Sequence, residues 1–179
     1  MDKKSITILH LSDIQFGVNH RFGMDVDTFD GKWDTLLERL KLDLDEMKKD
    51  FHLQPDLVVI TGDLAEWGRK SEFEQVHDFL VQLAEYLELG RERIVIVPGN
   101  HDINRDLCTS YFLECKGNEV PPIDPYWKKW EFFKKNLFDR FYQDQPEICF
   151  TEEKPWTLFE MNGVKGCSGW DKFDHEGEP

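Results

Sequence analysis

Apolar positions along this chain fall into runs of two alternating kinds. Residues 6–12, ITILHLS, are a short β-rich run that reads as a buried strand. A polar, glycine-containing loop follows. From about Asp30 the spacing changes, and Trp33, Leu36, Leu37, Leu40, Leu44 and Met47 recur at threes and fours, the period of one helix face. Pro55 closes the connection to a second apolar run, DLVVITGD. Ser71 and Glu74 then have the spacing of a capping box, which predicts a helix start there. Phe73, Val76, Leu80, Leu83 and Leu87 would be its inward stripe and Gly90 its C-terminal cap. RIVIVPGN supplies a third strand.

Three strands alternating with two amphipathic helices predict βαβ units, an α/β fold and a sheet with parallel strands. The pattern beyond residue 105 is less regular. A helix is predicted from near Asp124, with Pro125 in its first turn and Trp127, Trp130, Phe133, Leu137 and Phe141 along one side. That stripe has two readings, a stacking surface for a base or core packing, and packing is preferred. WTLFEMNGVKGCSGW has the pattern of a hairpin turning at Asn162-Gly163.

Composition narrows the function classes. At 179 residues the chain fits one domain with a real core, and 40% hydrophobic with 32% charged residues is ordinary for a globular protein. The net charge of −14 disfavours a broad basic face for nucleic acid and, more weakly, anionic membranes. It leaves room for an anionic substrate, because a bound divalent cation inverts the local field. The four cysteines, Cys108, Cys115, Cys149 and Cys167, include no CxxC pair and suggest neither a zinc ribbon nor a disulfide framework. Neither a signal peptide nor a run approaching the ~20 apolar residues of a membrane span is evident. The expected location is the cytoplasm, with reduced cysteines.

The chemistry concentrates after the strands, where α/β sheets collect their ligands. The three strand ends read SDIQFG, TGDLAEWG and PGNHDINRD. Asp13, Asp63 and Asn100 are oxygen donors suited to hard cations, and His101 adds an imidazole that widens the choice of metal. Each has an ordinary structural reading as well, since an aspartate after a strand is commonly a turn former or helix cap. The three in this order, each after a buried strand, make coincidence improbable. Gly62 and Gly99 fit backbones that turn sharply after a strand.

These blocks, DIQ, GDLAEWG and GNHD, resemble the first three sequence blocks of the calcineurin-like metallophosphoesterases, written D-x-H, G-D-x-x and G-N-H-[DE]. The resemblance covers residues 6–105 well, and FEMNGVKGCSGWD is similar to a later strand pair of many members. It implies a sandwich of two β-sheets flanked by helices around a two-metal centre. Asp13 would lie on the first metal, Asp63 would bridge both, and Asn100 would lie on the second. His101 would protonate the leaving oxygen or stabilise its charge, and Asp102 would orient His101. The implied reaction is hydrolysis of a phosphomonoester, phosphodiester or nucleotide pyrophosphate bond by a metal-bound hydroxide.

Two departures from the family pattern shape the expectation. The later histidine blocks are absent, and His175 in FDHEGEP fits neither. Residues 1–179 are therefore expected to be the N-terminal portion of a metallophosphoesterase domain, which leaves further domains of a longer chain open. Gln15 stands where the family usually has histidine, and it offers a neutral oxygen to a metal. The manganese-dependent ADP-ribose and CDP-alcohol diphosphatases of the superfamily share that D-x-Q block, which points to two Mn²⁺ ions, with Fe, Zn or Mg as alternatives, and to a phosphorylated small molecule or nucleotide. Asn104 and Arg105 follow the third block closely enough to contact a substrate anion, and Trp67 is a weaker candidate for a pocket wall. Two rival readings stand beside this one: a nuclease, and a non-catalytic sensor or effector module of a larger signalling or defence protein.

Overall fold

A computed structural model describes residues 5–18, 35–122 and 128–144, with only the backbone at 128 and 129. Strands β1 (Ile8–Ser12), β2 (Leu57–Thr61) and β3 (Ile94–Val97) form one sheet in the order β1-β2-β3, every pair parallel. Helices α1 (Leu36–Phe51) and α2 (Lys70–Leu87) make the two crossovers. Right-handed connections running in one direction place both helices on the same face of a sheet, and α1 and α2 do touch each other.

The register shows which face they cover. Leu9, Val58 and Ile94 stand abreast, as do Leu11, Ile60 and Ile96, and in both rows the β2 and β3 residues are buried. Against this row pack Phe73, Val76, Leu80 and Leu83 of α2, each fully buried, together with Leu37 and Leu44 of α1. Burying a side chain of that size contributes roughly 1.5–3 kcal/mol, so the predicted α2 stripe is the core of the domain. The opposite face of β1 is open, with Ile8 exposed and His10 bonded through Nε2 to the Thr61 hydroxyl at 2.7 Å. No helix among the described residues is long and apolar enough to cross a membrane.

The helix ends differ from the sequence reading. α1 starts on a capping box of Thr35 and Glu38, with the Thr35 hydroxyl accepting from Glu38 N–H at 3.2 Å and Glu38 Oε2 from Thr35 N–H at 2.9 Å. Ser71 and Glu74 do not cap α2. The cap position is Arg69, and Glu72 reaches back to accept from the N–H groups of Arg69 and Trp67, each at 2.9 Å. Glu72 wins because it stands three residues beyond the cap and is buried where Glu74 faces solvent. α2 ends at Glu88 in the left-handed conformation, and Gly90 opens the short 3-10 turn Arg91–Arg93 instead of capping the helix.

Helix α3 (Arg105–Gly117) was not foreshadowed by the apolar pattern, because it buries only Cys115 and exposes Leu107 and Leu113. Helix α4 (Lys128–Phe133) runs through a π-helical stretch, Lys134–Phe138, into α5 (Asp139–Phe141). Trp130, Phe133, Leu137 and Phe141 are all buried, and the Phe133 ring meets Phe73 edge-on at 5.7 Å. This resolves the aromatic stripe as packing for the residues described. Asp124, Pro125, Trp127 and the hairpin expected at Asn162-Gly163 lie outside the described residues. The described residues contain one parallel sheet, and the second sheet of the expected sandwich is not among them. Cys108 and Cys115 form no disulfide.

Candidate metal centre

Pairing between β1 and β2 continues past the strands. Asp13 N–H donates to the Gly62 carbonyl at 3.3 Å, Gln15 N–H to Asp63 at 2.8 Å, and Phe16 N–H to Leu64 at 2.7 Å. Glu66 N–H returns a bond to Phe16 at 2.9 Å. This zip joins the first two sequence blocks residue by residue, which brings Asp13 and Gln15 beside Asp63.

The joined segments have unusual backbones. Asp13 (φ 55°), Gln15 (φ 50°) and Asp63 (φ 50°) are all left-handed. The other described non-glycine residues with positive φ, His52, Glu88 and Glu119, lie at or just past helix ends, where that conformation is expected. A left-handed L-residue costs roughly 1–2 kcal/mol, aspartate tolerates it better than most, and glutamine has no such tolerance. Three of them in two adjoining strand-end turns is the kind of local strain that clusters at functional sites.

The third block is tied in by two hydrogen-bond donors and one carboxylate. Gly62 N–H donates to the Val97 carbonyl at 2.7 Å, and His101 N–H donates to Asp63 Oδ1 at 2.9 Å. Asp102 is fully buried and accepts from the backbone N–H groups of Gly99 (2.7 Å), Ala65 (2.8 Å) and Leu64 (3.2 Å). Burial pushes its carboxyl up, to about 7, while the three N–H donors work the other way by favouring the charged form. The two loops so joined nearly touch: a Cβ on Gly99 would stand 2.3 Å from both the nitrogen and Oδ1 of Asp63. Gly99 is therefore required by close approach, whereas Gly62 is required by its φ of 74°.

Asp102, expected to orient His101, has its carboxylate on backbone N–H groups. The imidazole is held by the Glu66 carbonyl, 2.8 Å from Nδ1. Asp102 acts on the backbone, locking the turn after β2 to the turn after β3. A carbonyl accepts only, so Nδ1 carries a proton in this contact, and Nε2 is the ring nitrogen that takes no part in it. Nothing in the sequence signals the Glu66 contact, because the group concerned is a backbone oxygen.

Asn104, named in the sequence for a substrate anion, has its amide engaged within the fold. Its Oδ1 accepts from Leu107 N–H at 3.1 Å as the cap of α3, and its Nδ2 donates to the Gly68 carbonyl at 3.2 Å. Both ends of the amide are bonded within the fold. Arg105, the first residue of α3, has its guanidinium carbon 5.9 Å from the centre of the Trp67 ring. Asn100 begins the 3-10 turn Asn100–Asp102, half-buried at the end of β3. Ser12, unremarked in the sequence, places its hydroxyl between Asp13 Oδ2 and the Thr61 carbonyl.

The strand ends thus gather two carboxylates, Asp13 and Asp63, and two amides, Gln15 and Asn100. Among the described residues no three His, Cys, Asp or Glu side chains form a metal-holding group. The donor set is oxygen-based and carries two negative charges, which suits hard divalent cations.

Comparison with known proteins agrees with this geometry. The calcineurin-like phosphoesterase family model matches residues 6–178, and the chain belongs to that family. Members generally bind two divalent metal ions. The chain is also similar to an uncharacterized metallophosphoesterase-like protein, YydB, of Bacillus subtilis (strain 168), at 26% identity over 188 aligned residues. That match covers 96% of this chain and 35% of the relative, so the chain spans about a third of the relative's length. Asp13, Gln15, Asp63 and Asn100 offer oxygen donors of the kind that hold hard divalent cations, and Gln15 departs from the histidine usual in the family's first block.

Proposed function

We propose that this chain carries the metal-binding strand ends of a phosphoesterase that hydrolyses a phosphomonoester, phosphodiester or nucleotide pyrophosphate bond. The observation that supports the reading most strongly is the set of hydrogen bonds that draws Asp13, Gln15, Asp63 and His101 to one end of a parallel sheet, with Asn100 next to His101 in the turn after β3. Divalent cations held there would polarise the phosphoryl group and make water a nucleophile at neutral pH. The residues of this chain do the rest. Asp63 is held in place by the His101 N–H, and His101, fixed through its Nδ1–H, would present Nε2 to the leaving oxygen, where only the doubly protonated ring has a proton to give and the neutral ring accepts one. Asp102 keeps the two loops in register.

Manganese is the proposed metal, because carboxylates and amides supply only oxygen and Gln15 replaces an imidazole with a neutral carbonyl. A phosphorylated small molecule or nucleotide is the proposed partner, and the cytoplasm the proposed location. The test uses the full-length protein with Mn²⁺ and generic phosphate esters. Asp63→Asn is expected to lower turnover at least about 100-fold, and His101→Asn by about 10²–10⁴. Asp43→Asn, exposed on α1, should leave it unchanged. Equal losses at Asp63 and Asp43 would sink the proposal.

One observation favours a second reading, a non-catalytic module: the described donors include no imidazole at the first block, and Gln15 stands there instead. Metal analysis of the full-length protein separates the two. Two tightly held ions per chain exclude the inactive module, and none at all supports it.

A further inference from the structure

His101 is held through Nδ1 by the Glu66 carbonyl, 2.8 Å away, and that carbonyl shares one planar peptide unit with the Trp67 N–H. The two groups of a trans peptide point in opposite directions, so whatever fixes the N–H also aims the carbonyl. The Trp67 N–H donates to Glu72 Oε2 at 2.9 Å. A continuous path therefore runs from the Glu72 carboxylate through one peptide to the imidazole. Hydrogen bonds to a carboxylate are among the stronger ones, and bonds in series polarise one another.

Helix capping alone does not explain Glu72. The cap of α2 needs only the bond from the Arg69 N–H, also 2.9 Å long, and Trp67 lies two residues before the cap position. Nor does a cap require burial. Glu72 is 2% exposed, and its Oε1 has no hydrogen-bond partner among the described residues. Leaving a buried carboxylate oxygen unpaired costs at least as much as a cap usually contributes. What the arrangement secures is the turn over residues 66–69. Glu66 N–H donates to the Phe16 carbonyl at 2.9 Å, and Gly17 closes over the carboxylate, where a Cβ would stand 3.3 Å from Oε1. Gly68, at φ 61°, runs so close to the third block that a Cβ there would stand 2.8 Å from the Ile103 carbonyl carbon. The carbonyl that receives His101 is thus fixed from both neighbouring blocks and from α2.

We propose that Glu72 is a positioning residue for His101: acting through the Glu66–Trp67 peptide, it holds the ring rotation and the Nδ1–H tautomer that keep Nε2 outside that contact. The kinetic consequence rests on the phosphoesterase reading above, whereas the state of the ring does not.

The test uses the full-length protein with ¹⁵N-labelled histidine, the His101 signals being identified by their loss in His101→Asn. At a pH where the ring is neutral, the wild type is expected to show the Nδ1–H tautomer. Glu72→Ala should shift the ring nitrogens toward a mixture with the Nε2–H form. With Mn²⁺ and a generic phosphate ester it should also lower kcat about tenfold, with KM within about threefold. Thr35→Ala, which removes the corresponding cap from α1, controls for lost stability and should change neither. Glu72→Asp keeps the charge and shortens the reach; it should act as the alanine variant does, and it decides the matter should that variant fail to fold. An unshifted tautomer or an unchanged kcat in the folded Glu72 variants, or the same changes in Thr35→Ala, would overturn the assignment. Should the wild type hydrolyse no ester, the phosphoesterase reading fails, and the ring signals alone decide this inference.

Discussion

Removing the Asp102 carboxylate would leave three backbone N–H groups, on Gly99, Ala65 and Leu64, without their acceptor in a buried position. Each such group costs about 1–3 kcal/mol, so Asp102→Ala is expected to lower the unfolding free energy by roughly 3 kcal/mol or more. Urea denaturation measures it, and a change under about 0.5 kcal/mol, the range of ordinary surface substitutions, would contradict the role. At this scale the sequence was informative about identity and poor about contact. Asp13, Gln15, Asp63, Asn100 and His101 could all be named from strand-end position. The partner of His101, the anchoring job of Asp102 and the capping job of Asn104 could not, because each is a bond to backbone atoms far away in the chain. Gln15 gained most from the structure: its left-handed φ marks a backbone shaped for that turn, which composition cannot reveal.

At the level of elements, the start of α2 offers a paired test. Glu72 caps the helix through Oε2, and its Oε1 is buried with no hydrogen-bond partner among the described residues. Glu72→Ala should destabilise by about 1–2 kcal/mol, the usual effect of losing a helix cap, while Ser71→Ala should be nearly silent. Thermal melts of the two variants check this, and the reverse order would restore the Ser71–Glu74 box. The three strands and the inward stripe of α2 were legible because a buried parallel strand and an amphipathic helix each impose a period on the sequence. α3 left no such trace, since it buries a single side chain. Helix ends misled for a related reason: Ser71 and Glu74 have the right spacing, but tertiary burial selected Glu72.

On the scale of the whole molecule, metal binding and stability are linked. A ligand at about 100 times its Kd adds about 2.7 kcal/mol to the folded state, and a domain of this size shifts its melting temperature by roughly 2–4 °C per kcal/mol. Chelation of the Mn²⁺-loaded full-length protein should therefore lower the midpoint by roughly 5–10 °C, and Asp63→Asn should abolish the difference. Calorimetric scans with and without chelator measure it; identical midpoints in the wild type would argue against a resident metal.

The sequence by itself determined the α/β class, a sheet with parallel strands and the identity of the residues that follow them. Those properties follow from periodicity and chain order, which are local. Only the tertiary structure decided which groups meet. It zipped the β1 and β2 turns together and brought Gly99 against Asp63. It gave His101 to a carbonyl and Asp102 to three amides, and set Arg69 and Arg105 on one indole. These contacts join residues tens of positions apart through backbone atoms and close approach, and neither carries a signature in the order of side chains.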